Sequence, residues 1–134
     1  MIDLIIVDDQ EMIREGLKMI LSLYEEINCI GEAPNGKQLM ELLKKLSPQV
    51  ILMDIRMPLM DGIETTKYIK KIYPIIKVII LTTFNEDNYI FQGLEYGADG
   101  YILKDSGTIE IINAIKTALE GSMHILVGYN PMLS

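Results

Sequence analysis

Five residues of this chain have side chains that could do chemistry together, and each stands at the end of a short apolar run. Asp8 and Asp9 follow Leu4–Val7, and Asp54 follows Val50–Met53. Thr82 closes Val78–Thr82, with Thr83 behind it, and Lys104 follows Tyr101–Leu103. Two unit charges ~4 Å apart at an effective dielectric near 20 repel by roughly 4 kcal/mol. Three carboxylates brought to one place are therefore strained unless a cation joins them. Ligands that are all oxygen select a hard divalent ion, Mg²⁺ or Mn²⁺, before zinc or copper. A carboxylate, a hard cation, a hydroxyl and an ammonium are the parts needed to hold a phosphoryl group. Taken singly, each residue has a plainer reading. An Asp after a strand often caps the next helix, and a lone Lys there is usually solvated. The joint occurrence at four strand ends is what carries the site reading.

The elements that must position these residues are legible as an alternation. Five strand-like runs, Leu4–Val7, Ile27–Gly31, Val50–Met53, Val78–Thr82 and Tyr101–Leu103, are separated by longer amphipathic segments. Most of the runs are continuously apolar and rich in Ile and Val, as strands covered on both faces of a parallel sheet are. Met12, Ile13, Leu17, Ile20, Leu21 and Tyr24 recur at helical spacing, as do Leu39, Met40, Leu42, Leu43 and Leu46. A third helix is expected over about Ile63–Ile72, stopping before Pro74. A fourth is expected over Asp87–Tyr96 up to Gly97, and a fifth over Ile109–Leu119 up to Gly121, both glycines suiting a C-cap. Turn signals fall at Pro34-Asn35-Gly36, Ser47-Pro48 and Asp61-Gly62. Five βα repeats at this length predict an α/β fold, an open doubly wound parallel sheet with helices on both faces. In such sheets ligands bind outside the carboxyl ends of the strands, near the point where strand order reverses.

Composition narrows the function classes. The chain has 134 residues, enough for one domain, with 49% hydrophobic and 23% charged residues, so it has material for one core and no signature of disorder. Its net charge of −7 makes it a poor nucleic-acid binder by itself, because phosphate contacts need clustered Lys and Arg. One cysteine, Cys29, rules out an internal disulfide and a cysteine-built zinc site, and reads as an inert buried thiol in the second strand. No apolar run approaches the roughly 18 residues of a membrane span, and the amino terminus lacks a signal-peptide pattern. A reducing cytoplasm is the expected setting.

Four segments carry a resemblance to a known family: VDDQ at Val7–Gln10, LMDIRMPLMDG at Leu52–Gly62, ILTTF at Ile80–Phe84 and GADGYILKD at Gly97–Asp105. In this order and spacing they resemble the receiver domain of two-component response regulators, and among those the receivers that precede LuxR/NarL-type DNA-binding domains. The resemblance covers about Met1 to Gly121. It implies a flavodoxin-like (βα)₅ sheet with strand order 2-1-3-4-5. Asp54 would be the phosphoacceptor, taking a phosphoryl group from a sensor histidine kinase to form an acyl phosphate. Asp9 would bind Mg²⁺ directly, Asp8 largely through water, and the backbone carbonyl of Arg56 would complete the protein ligands. Lys104 would contact the phosphoryl oxygens, and Thr82 would move toward them. Tyr101 would then change rotamer and reshape the face formed by the fourth helix, fifth strand and fifth helix. The implied domain is no enzyme beyond self-phosphorylation from small donors and slow loss of the phosphate.

Other residues have plain readings. Pro58, Asp61 and Gly62 shape the loop after the third strand. Arg56 and Phe84 stand near the phosphate by sequence, and either could tune its lifetime or simply face solvent or pack. His124 has no evident partner. Asp105 stands where many receivers carry proline, so the cis peptide often found there does not transfer. Residues 122–134 (SMHILVGYNPMLS) contain no Asp, Glu, Lys or Arg and read as a tail, or as the start of a linker to a helix-turn-helix domain outside this chain. DNA contact is expected only through such a domain, a homodimer on phosphorylation is a possible partner state, and no membrane contact is expected. Alternatives are a stand-alone receiver acting through protein contacts, a degenerate receiver that is not phosphorylated, and two other α/β classes. An aspartate-nucleophile phosphohydrolase usually carries a second Asp where this chain has Arg56. A flavin module needs a hydroxyl- and glycine-rich loop where it has Asp8-Asp9.

Overall fold

A computed structural model describes residues 1–82, 95–104 and 106–121. Within them lie β1 (Ile2–Val7), α1 (Glu11–Leu21), β2 (Ile27–Ala33), α2 (Gly36–Leu42), β3 (Val50–Asp54), α3 (Gly62–Ile72), β4 (Lys77–Thr82), β5 (Gly100–Leu103) and α4 (Thr108–Leu119). The five strands form one parallel sheet in the order β2-β1-β3-β4-β5, the flavodoxin-like order expected from the motifs. Residues 87–94 of the fourth expected helix, Thr83, Phe84, Asp105 and the tail with His124 lie outside the described residues.

Burial explains why these runs are strands. Leu4–Val7, Val50–Met53 and Val78–Leu81 are essentially without solvent contact, so both faces of the three central strands are covered. Each such side chain contributes about 1.5–3 kcal/mol by leaving water. The edge strand β2 differs. Its middle residues are only partly buried, and its pairing with β1 shifts register between Leu4 and Ile5, where Ile30 is the extra residue. That irregularity accounts for the weaker apolar pattern and for β2 running on to Ala33. Cys29 is correspondingly half-buried rather than enclosed. Its thiol donates to the Gly31 carbonyl at 3.5 Å, and burial raises its pKa.

The first helix corrects a second expectation. Its apolar stripe is wider than the surface it covers: Leu21 is buried and Leu17 and Tyr24 pack on the core, but Met12 is 84% exposed and Ile20 also faces solvent. The second helix ends at Leu42, short of the apolar pattern that runs to Leu46, and the caps of the second and third helices match their signals. Asn35 caps α2 by accepting from Gln38 N–H at 2.8 Å, and Asp61 caps α3 by accepting from Glu64 N–H at 2.8 Å. The third helix stops at Ile72 ahead of Pro74, and Gly97 and Gly121 adopt the positive φ their C-cap reading requires.

The loop between β3 and α3 folds tightly back onto the end of β3. Gly62 N–H donates to the Ile55 carbonyl at 2.7 Å, and a Cβ at Gly62 would stand 2.2 Å from the Asp54 carbonyl oxygen. Only glycine permits that approach of helix to strand end. Overpacking of this kind costs about 1–3 kcal/mol, and here the obstructing atoms are backbone. Gly62→Ala is therefore expected to lower unfolding stability by at least about 2 kcal/mol, measured by urea denaturation. A change below about 0.5 kcal/mol would show that the loop adapts freely.

Candidate functional site

The β1–β3 register assembles the site. Val7 pairs with Met53, so the next residue on each strand, Asp8 and Asp54, emerges side by side at the carboxyl rim. Asp9 follows on the β1–α1 loop, and one carboxylate oxygen from each of Asp8, Asp9 and Asp54 lies within 4.8 Å of the others. Neither Asp8 nor Asp9 caps α1. The N-cap is Gln10, without a side-chain bond, and Asp8 Oδ1 instead accepts from Gln10 N–H at 2.9 Å. Asp8 and Asp54 are buried, whereas Asp9 is open to solvent.

Lys104 arrives from β5 on the same rim. Its ammonium stands 3.0 Å from Asp54 Oδ1 and 3.4 Å from Asp8 Oδ2. The Lys104 N–H donates to the Thr82 carbonyl at 2.8 Å, which extends the β4–β5 ladder and ties the lysine to the strand that ends in Thr82. Thr82 is buried and stands one residue beyond Leu81, the register partner of Asp54. All five residues singled out by type are thus on one edge. Arg56 is exposed on the loop two residues after Asp54, and Pro58 is exposed beside it.

One ammonium does not neutralise three carboxylates. Burial pushes the Asp54 carboxyl up to about 6 from 3.8; the Lys104 hydrogen bond pulls it back, and the charge on Asp8 and then Asp9 pushes it further up. For Lys104, burial disfavours the charge, but the hydrogen bond and charge of Asp54, with Asp8, outweigh it and leave the ammonium more basic than usual. Asp8 Oδ2 is fully buried and has no aligned hydrogen bond to any described residue. A buried carboxylate oxygen that shares the Lys104 ammonium with Asp54, in a cluster of three carboxylates, fits a hard divalent cation. Asp8, Asp9 and Asp54 are the side chains that could hold one.

Tyr101 is more enclosed than an edge aromatic is expected to be. It has no solvent exposure, burial raises its pKa, and its hydroxyl bonds to no described residue. A buried hydroxyl without a partner costs about 1–3 kcal/mol, so this rotamer is not held by its polar end. An apolar cavity of about 460 Å³ lined by Leu43, Leu46, Pro48, Ile72 and Pro74 lies at the amino ends of β3 and β4, the opposite rim, with no carboxylate, amine, imidazole or thiol among its lining side chains.

The type-and-spacing reading missed two supports of the site. One is the Gly62 approach to Asp54. The other is Arg14, whose Nη1 donates to the Asp8 carbonyl at 2.6 Å while Nε donates to Glu32 Oε1 at 2.8 Å. The sequence signal was a pair of cations on one face of α1, Arg14 and Lys18, but only the topology shows that Glu32 of β2 lies opposite.

Similarity to known proteins agrees with this geometry. Residues 4–116 match the model of the response regulator receiver domain. The transcriptional regulatory protein LnrK of Bacillus subtilis (strain 168) is 46% identical over 123 residues, 92% of this chain and 56% of that protein. The response regulator protein VraR of Staphylococcus aureus (strain Mu3) is 41% identical over 120 residues, 90% of this chain and 57% of that one. The chain therefore spans about half the length of the curated relatives it matches. Among solved structures, the receiver domain of the putative response regulator NarL from Mycobacterium tuberculosis superposes with a TM-score of 0.82 at 35% identity, covering 90% of this chain and 97% of that one. The isolated receiver domain of RcsB from Salmonella enterica serovar Typhimurium, solved with the phosphomimetic BeF3-, gives 0.83 at 28% identity, covering 92% of both. The chain belongs to the response regulator receiver domains, and its homologues are regulators of the NarL/LuxR type.

Proposed function

We propose that residues 1–121 form a phosphoaccepting receiver in which Asp54 takes a phosphoryl group from a sensor histidine kinase. The observation that carries this reading is the buried Asp54 carboxylate beside Lys104, with Asp8 and Asp9 within reach of the same point. Receiver domains are non-enzymatic signal transducers that bind Mg²⁺ at an acidic pocket. In this chain Asp9 and Asp54 would hold the ion directly, Asp8 largely through water, and the Arg56 carbonyl would add a backbone ligand. Bound there, the cation would offset negative charge on the transferring group.

Asp54 performs the attack. One carboxylate oxygen forms a bond to phosphorus as the phosphorus–nitrogen bond of a phosphohistidine breaks, and the electron pair of that bond leaves with the imidazole. No general base is needed, because the carboxylate is ionised above its pKa of about 6. Lys104, already bonded to Asp54, is placed to transfer its hydrogen bond to a phosphoryl oxygen, and Thr82 supplies a hydroxyl from the end of β4. The resulting bonds to Thr82 and Lys104 favour one of two conformations, with Tyr101 as the side chain that changes rotamer. Its hydroxyl, unbonded to described residues inside the core, gains a partner if it swings outward.

The output lies in the part of the relatives that this chain does not span. We place residues 122–134 at the start of the connection to a DNA-binding domain, so promoter contact belongs to the longer protein. Homodimerisation on phosphorylation and a cytoplasmic setting complete the reading. Among the described residues no helix is long and apolar enough to cross a membrane.

With Mg²⁺ and acetyl phosphate, mass spectrometry is expected to show one added phosphate that Asp54→Asn abolishes. An adduct that survives the substitution would contradict the assignment. Stability should also follow pH in a defined direction. The folded-state pKa of Asp54 is raised, so between about 4 and about 6 the folded chain keeps a proton that the unfolded chain has released, and this group's contribution falls as pH rises. In EDTA, Asp54→Asn should be neutral near pH 4 and stabilising by of order 2 kcal/mol at pH 7. A stability difference from wild type that does not change with pH would show that Asp54 is not held protonated by its surroundings.

A further inference from the structure

The side chain of Arg14 is 12% exposed, and its guanidinium bridges two elements. It bonds the Asp8 carbonyl at 2.6 Å and Glu32 Oε1 at 2.8 Å, while the other oxygen of Glu32 bonds Lys18 Nζ. Lys18 in turn pairs with Glu15 at 2.8 Å, so the brace spans the face of α1 and the end of β2. The peptide that Arg14 grips is the one joining Asp8 to Asp9. Asp8 is also fixed on its other side, since its N–H donates to the Ala33 carbonyl at 3.1 Å and its Oδ1 accepts from Gln10 N–H. A peptide unit is planar and has no internal freedom. Holding its oxygen therefore sets the direction in which the chain enters Asp9, the solvent-open member of the trio, whose side chain bonds to no described residue.

Resting on the reading of the trio as a cation site, we infer that Arg14, braced by Glu32, is a positioning residue that aims Asp9 at Asp8 and Asp54. Its charge is balanced locally by Glu32, so its contribution is geometric. Lysine cannot replace it, because a single ammonium lacks the rigid fork that reaches a carbonyl and a carboxylate in fixed directions. Groups that orient metal ligands from behind typically contribute 10–100-fold in metal affinity.

The experiment titrates Mg²⁺ into wild type, Arg14→Ala and Arg14→Lys of the full chain, following backbone amide chemical shifts. In parallel, the rate of phosphate uptake from acetyl phosphate is measured against Mg²⁺ concentration. Both variants are expected to bind Mg²⁺ about tenfold or more weakly. The Mg²⁺ concentration for half-maximal uptake should rise by the same factor, with the rate at saturating Mg²⁺ retained. If Arg14→Ala fails to fold, Arg14→Lys decides. Wild-type affinity in Arg14→Lys, or unchanged affinity with a reduced saturating rate in either variant, would overturn the inference. A wild type that shows no saturable Mg²⁺ binding would instead overturn the reading of the trio, and this inference with it.

Discussion

Everything at the site depends on the register between β1 and β3. Because Val7 lies opposite Met53, two aspartates that are 46 positions apart leave the sheet as neighbours, both facing inward to a nearly dry rim. Side chains alternate along a strand, so a slip of one residue would send one carboxylate to the other face. The apolar cores of the two strands prevent that slip: Leu4–Val7 and Val50–Met53 are buried on both sides and must keep their places. The same contacts that stabilise the sheet therefore enforce a repulsive meeting of acids at its edge.

That meeting is tolerated rather than relieved. Lys104 offers one positive charge to Asp54 and Asp8, and the Asp54 carboxyl still sits near pH 6. Stability given up at such a point is available for ligand binding. In the proposed reaction a cation would reduce the repulsion, and a phosphoryl group would find the Lys104 ammonium already beside Asp54. The acidity of the chain as a whole sets no such constraint; what matters is that three of its carboxylates lie within 4.8 Å.

Much of this was legible in the sequence, for identifiable reasons. Strands buried on both faces announce themselves as unbroken Ile/Val/Leu runs, and a residue placed just after such a run must lie at the carboxyl rim. Hence Asp8, Asp9, Asp54, Thr82 and Lys104 could be placed before the fold was seen. The edge strand β2 runs beyond its apolar signature because half-exposed residues lose it, and Cys29, expected to be buried because free cysteines usually are, shares that partial exposure. Met12 and Ile20 show that helical periodicity gives the apolar side of a helix but not how much of it the sheet covers. Local pattern alone could not place the Arg14–Glu32 brace or the fit of Gly62 against Asp54, since each is a contact between elements whose distance only the folded chain sets. The switching role proposed for Tyr101 rests on resemblance, whereas its complete burial is set by the fold.

The central claim is that the three aspartates form one cation site. Crystals of the chain equilibrated with Mn²⁺ and measured for anomalous scattering test it directly. The account predicts a single strong peak within coordinating distance of the Asp9 and Asp54 carboxylates. Manganese bound elsewhere on the chain, with no peak between these residues, would contradict it.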